Sequence, residues 1–113
     1  MPDSPLTERK CVPCEGGVEP LSRSQAEQLL TQLDRWQLSA DGKAIYCKRS
    51  LKHFVEALGL LNAIGDLSER EQHHPDLHLT GYRNVRIELT THAIGGLSEN
   101  DFIVAAKIDA LPV

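Results

Sequence analysis

Between residues 54 and 67 the apolar side chains Phe54, Val55, Leu58, Leu61, Ile64 and Leu67 recur three or four apart. That spacing predicts one buried stripe along a helix of roughly five turns. A helix this long must bury its stripe against something, and the stretches on either side alternate apolar with polar residues, as strands do. Residues 36–40 and 43–49 flank Asp41-Gly42, a pair that accepts the positive φ of a type I′ hairpin turn. Further on, Leu77 and Leu79 alternate with His78 and Thr80, and Val85, Ile87 and Leu89 alternate with Arg86, Glu88 and Thr90, around a turn at residues 81–84. Gly59 and Gly65 inside the long helix each cost about 1 kcal/mol against alanine, which predicts close packing of another element there.

Two more helices complete the order. Ser22 or Ser24 caps a first helix with Ala26, Leu29, Leu30 and Leu33 at helical spacing, running to about residue 34. After the break at Gly95-Gly96, Ser98 caps a last helix in which Phe102, Ile103, Ala106 and Ala110 face the core. The order is α-β-β-α-β-β-α, an α+β fold: a four-stranded antiparallel sheet with three helices packed on one face. The opposite face then carries Arg86, Glu88 and Thr90, open to solvent or to another subunit.

At 113 residues, 41% hydrophobic and 25% charged, the chain is expected to form one globular domain. Residues 1–20 hold four of the six prolines plus Gly16 and Gly17, which predicts an irregular arm, leaving residues 21–113 as the folded domain. A net charge of -4 with scattered Lys and Arg offers no basic stripe to displace counterions, so nucleic acid is not an expected partner. No apolar run reaches the roughly 20 residues of a membrane span, and the opening MPDSPLTERK lacks the apolar segment of a signal peptide. Three cysteines cannot all pair within one chain, which fits a reducing compartment and a cytoplasmic protein.

Cys11 and Cys14 have CxxC spacing, yet no second pair completes a zinc site and no strand-to-helix junction suggests a redox motif. They read as two thiols on a surface arm, and Cys47 reads as a small core residue. Four of the five histidines lie within residues 69–101, and His53 reads as a solvated residue near the start of the long helix. His78 stands on the polar side of a strand and reads as solvated too. His73 and His74 before Pro75 suit a helix end, where cations favour the dipole.

Strand parity makes a stronger reading. If Leu77 and Leu79 share a face with Val85, Ile87 and Leu89, opposed residues share parity, and His92 lies across from Gln72 or His74. Glu69, four residues before His73, orients that imidazole if the helix persists. A carboxylate-paired imidazole is suited to proton transfer near neutral pH. Three histidines and a carboxylate are also enough for zinc, but adjacent His73 and His74 do not aim at one ion from regular backbone, and no HExxH occurs. Asp101, three residues after Ser98, fits an N-terminal cap.

Taken together, Glu69, His73-His74-Pro75, Thr91-His92 and Asp101, with GLSENDFIVAAKID and the CVPCEGG arm, resemble the pterin-4a-carbinolamine dehydratase family, in its bacterial and plant-type members. Against vertebrate-type members there is one more residue between His-His-Pro and the later histidine, and Tyr82 stands where many relatives have tryptophan. The resemblance implies dehydration of 4a-hydroxytetrahydropterin to quinonoid dihydropterin in tetrahydropterin recycling, without metal or organic cofactor, in a homodimer or homotetramer. It implies His73 and His92 as acid and base, and His74 with Gln72, Thr91 and Ala93 around the pterin. Pro75 and Asp101 support the site. Relatives of this family also serve as dimerisation or assembly partners of other proteins, which is the alternative expectation.

Overall fold

Each helix begins where a side chain takes up backbone N–H groups that the first turn leaves unpaired. In the computed structural model, which describes residues 5–11 and 19–112, the Gln25 N–H donates to Ser22 Oγ at 3.1 Å and the Ser22 N–H to Gln25 Oε1 at 2.9 Å. This opens α1, Arg23–Leu30. It stops short of the expected end near residue 34, because the Thr31, Gln32 and Leu33 N–H groups donate only three residues back. The second helix, α2, spans Phe54–Glu71. Glu56 opens it by accepting the Lys52 and His53 N–H groups at 3.1 and 3.2 Å, which leaves His53 an exposed cap residue. The last helix, α3, spans Glu99–Asp109, and Asp101 Oδ2 accepts the Ser98 N–H before it at 2.9 Å.

The strands are β1, Gln37–Leu38, β2, Ile45–Ser50, β3, Asp76–Thr80, and β4, Asn84–Leu89. They form one antiparallel sheet in the order β1-β2-β4-β3. Leu77 faces Ile87 and Leu79 faces Val85, the parity expected from the alternation. The first hairpin is not a type I′ turn. Of Asp41 and Gly42 only Gly42 has positive φ, at 73°, and the Ser39 N–H closes a longer loop onto the Ala44 carbonyl at 2.8 Å. The Asp41 carboxylate causes this, since it accepts from Ser39 Oγ at 2.7 Å and the Lys43 N–H at 2.9 Å, a local capping arrangement.

Ile45, Cys47, Val85, Ile87 and Leu89 are buried beneath the helices, while Tyr46, Lys48, Arg86 and Glu88 alternate onto the uncovered face. There the Arg86 guanidinium lies 4.4 Å over the Tyr46 ring and donates to Glu88 at 3.0 Å. On the edge strand β3, Leu77 is exposed rather than buried, because no further strand covers that side.

The buried stripe of α2 is Ala57, Leu60, Ile64, Leu67 and Ser68. Phe54, Val55 and Leu58, expected in the core, face outward. The helix is apolar on more than one side, so its periodicity admits two stripes, and the one containing small Ala57 is the one buried. Gly59 and Gly65 likewise lack the expected close neighbour: a Cβ at either would meet nothing within 4 Å. In α3, residues Asn100, Asp101, Phe102, Ile103, Val104, Ala105, Ala106 and Ile108 are all buried, whereas Ala110 is exposed just past the helix end.

Residues 5–11 do not form a loose surface arm. Leu6 is buried in the core, within a short 3-10 turn over Leu6–Glu8 that packs on α3. Cys14, with Gly16 and Gly17, lies outside the described residues.

Candidate active site

The site begins at the end of α2. Gln72 takes a left-handed conformation, φ 54°, and the His73 N–H returns to the Ser68 carbonyl at 3.2 Å, the long bond of a Schellman turn. Gln72 Nε2 adds a bond to the Glu69 carbonyl at 2.8 Å. The helix therefore ends before His73, and the one-turn relation expected between Glu69 and His73 is not formed. Glu69 Oε2 meets His74 Nε2 instead, at 2.5 Å, in a pair that stands in solvent. Reversal at Gln72 sends His73 inward, where Nε2 lies 2.6 Å from Asp101 Oδ1.

Asp101 is fully buried. Its Oδ1 takes His73, and its Oδ2 accepts both the Ser98 N–H at 2.9 Å and the Thr91 hydroxyl at 2.8 Å. A carboxylate without water must find its partners inside the protein, and this one finds three on three segments of chain. With Asp101 accepting from Nε2, the ring nitrogen of His73 that can take up or hand on a proton is Nδ1. Asp101 was legible in the sequence as a cap. Its contact with His73 was not, because it depends on two helix ends meeting in space.

Thr91, the residue before His92, belongs to the same network. The Thr91 N–H donates to the Gly96 carbonyl at 2.9 Å, closing a loop in which His92 opens a short turn, His92–Ile94. A Cβ at Gly96 would lie 2.8 Å from Pro20 Cβ, so only glycine fits where the loop is anchored. Sheet pairing does not extend to His92, since β3 begins at Asp76 and β4 ends at Leu89. It is the hydroxyl of Thr91, one residue before His92, that ties this segment to Asp101 and hence to His73. His92 and Ala93 are exposed, as are Gln72 and His74, and Pro75 is half-buried at the turn into β3.

Other candidates sit elsewhere. His78 is exposed on the uncovered face of the sheet, where a groove of about 670 Å³ is lined by Lys48, Ser50, His78, Thr80, Asn84 and Arg86. None of Asp101, His73 or His92 lines that groove. Chemistry follows from the buried polar network rather than from hollow volume, so the histidine cluster is the candidate site. Among the described residues no three His, Cys, Asp or Glu side chains gather as ligands of one metal ion. Burial and the neighbouring Glu71 push the Cys11 thiol up to about 12, and burial pushes Cys47 up to about 11. Neither holds a reactive thiolate at neutral pH.

A family model described as pterin 4 alpha carbinolamine dehydratase matches residues 19–111. The chain belongs to the pterin-4a-carbinolamine dehydratase family. It is similar to a protein of Nitrosomonas europaea named a pterin-4-alpha-carbinolamine dehydratase, with 56% identity over 94% of this chain and 92% of that one. A mitochondrial family member of Arabidopsis thaliana is 45% identical over 96% of this chain and 59% of its own longer one. A crystal structure of a transcriptional coactivator/pterin dehydratase from Brucella melitensis superposes with a TM-score of 0.76 at 30% identity, covering 81% of this chain and 97% of that one. The family is thus one of hydro-lyases, with bacterial and plant members. Among the described residues no helix is long and apolar enough to cross a membrane.

Proposed function

We propose that residues 21–113 form a dehydratase that converts 4a-hydroxytetrahydropterin to quinonoid dihydropterin in tetrahydropterin recycling. The observation that carries this is the His73–Asp101 pair at 2.6 Å, with a side chain 12% exposed on one side and none on the other. The reaction moves two protons. One imidazole of the His73 and His92 set protonates the C4a hydroxyl, which departs as water. The other takes the proton from the adjacent ring N–H, and its electron pair forms the C=N bond. Asp101 fixes the tautomer and direction of His73.

A pterin is flat and nearly uncharged, so hydrogen bonds hold it. His74 and the backbone of Gln72, Thr91, His92 and Ala93 are suited to supply them, with Pro75 shaping the turn between the two histidines and β3. This chemistry is proton transfer and calls for neither metal nor organic cofactor. Exposed Phe54, Val55 and Leu58 on α2, and Leu77 on the edge strand, support a homodimer or homotetramer. The odd cysteine count supports a cytoplasmic setting.

A non-catalytic dimerisation or assembly partner is the competing function, and the Brucella protein is named both a transcriptional coactivator and a pterin dehydratase. Such a partner has no need of a buried carboxylate turned onto a histidine. The deciding experiment is a dehydration assay on enzymatically generated 4a-hydroxytetrahydropterin. Replacing His73 or His92 with Ala is expected to lower kcat by roughly 10²-fold or more. Full activity in the double variant overturns the assignment.

A further inference from the structure

His73 and Asp101 are 28 residues apart on different helix ends, yet their ring and carboxylate meet at 2.6 Å. Something must fix the end of α2 against the start of α3. The sheet and core hold the bodies of these helices, but polar contacts tie the last turn of α2 to α3 and to residues 9–11. Glu71, the final residue of α2, accepts from Lys107 Nζ of α3 at 2.5 Å through Oε2. Through Oε1 it accepts the backbone N–H of Cys11 at 3.1 Å. Cys11 Sγ in turn lies 3.7 Å from the Asn100 carbonyl, and Arg9 pairs with Glu99 at 3.3 Å. Leu6 anchors the start of the segment in the core.

All these landing points adjoin the reacting pair. Glu71 is two residues before His73, Glu99 is two before Asp101, and Asn100 is next to it. We infer that residues 6–11 form a strap that positions the His73–Asp101 pair, with Glu71 as the positioning residue through which it acts; this rests on the proposed dehydratase function. The strap lies outside residues 19–111, which the family model matches, so it is a contribution from beyond that core. Burial disfavours the Glu71 charge, but the Lys107 hydrogen bond and the Cys11 N–H outweigh it and hold the carboxyl below its ordinary range. Glu71 is therefore an anion at neutral pH, able to engage both partners together. Displacing a catalytic group by about 1 Å can cost about 10²-fold in rate, so a fixed helix end has a direct catalytic consequence.

The test uses the full chain. Glu71→Lys combined with Lys107→Glu restores an ion pair between α2 and α3 but gives the Cys11 N–H no acceptor at position 71. We expect this swap to keep the thermal midpoint of the wild type within a few degrees, to lower kcat about 10-fold with little change in KM, and to shift the His73 ring resonances in NMR. Arg9→Ala, which perturbs the strap at its other landing point, is expected to move the same resonances by less. Wild-type kcat and unshifted His73 resonances in the folded swap variant, or in Arg9→Ala should the swap fail to fold, overturn the strap. A wild-type protein with no dehydratase activity defeats the proposed function instead, while the His73 resonances still report on the strap.

Discussion

Two histidine–carboxylate pairs stand side by side in this molecule and differ in almost everything except their chemistry. His74 and Glu69 are five residues apart and meet at 2.5 Å with side chains 57% and 74% exposed. His73 and Asp101 meet at 2.6 Å with side chains 12% and 0% exposed. Distance alone would rank them equal. An exposed pair gains little because water and salt screen it, typically about 0–1 kcal/mol, and its partners move apart readily. The buried pair cannot separate without leaving a carboxylate unsolvated, so it holds one geometry. That persistence is what proton transfer at a fixed position requires. The lesson is that a histidine's adjacent acid in sequence need not be the acid that orients it.

Removing Asp101 is the severest way to probe the contrast. Asp101→Ala leaves His73, Thr91 and the Ser98 N–H without their shared acceptor. Loss of one partner from a buried pair typically costs about 3–5 kcal/mol, and urea denaturation should find a loss of that order. Asp101→Asn keeps the volume but alters the donor pattern offered to His73, so kcat should drop by about 10²-fold in a protein that still folds. A near wild-type kcat for Asp101→Asn would break the contrast at its buried end.

Glu69 and His74 probe the other end. Glu69→Gln should cost no more than about 1 kcal/mol in urea denaturation, and that cost should vanish as salt is raised. Its kcat should stay within about 3-fold of wild type, far from the Asp101 variants, because His73 does not depend on it. An equal loss of kcat in Glu69→Gln and Asp101→Asn would mean that the exposed acid matters as much as the buried one to the proposed reaction.

Much of this was legible in the chain itself, for identifiable reasons. Alternation in Leu77, Leu79, Val85, Ile87 and Leu89 set the register of the second hairpin, since a one-residue slip would turn every one of them outward. His73, Thr91 and Asp101, which the fold joins, were also visible as residue types near the ends of predicted elements. The pairing among them was hidden by a single backbone event, the left-handed Gln72, which a helix-spacing argument carried through to His73 cannot anticipate. On α2 the obstacle was different: apolar residues cover more than one side, so spacing alone did not choose between the stripe of Ala57 and Leu60 and that of Phe54 and Leu58. The strap was invisible for a third reason. Its composition reads as irregular, and its contacts to Glu71, Glu99 and Asn100 lie about 60 to 90 residues away, a separation no local pattern reports.

Glu71 is a third carboxylate and stands between the two extremes. Its side chain is 12% exposed and its partner Lys107 16%, close to the burial of His73, yet its partner is an amine rather than an imidazole. Because its carboxyl is held below the ordinary range in the folded protein, the unfolded chain binds the proton more readily. The resulting stability is fully present above the unfolded-state value of about 4.3 and is lost as pH falls through the lower folded value. Urea denaturation from pH 7 down to pH 2.5 should therefore show Glu71→Gln less stable than wild type at neutral pH, with the gap closing in acid. A gap that stays constant with pH would mean that Glu71 stabilises by packing rather than by charge, and would move it from the class of Asp101 to that of an ordinary buried side chain.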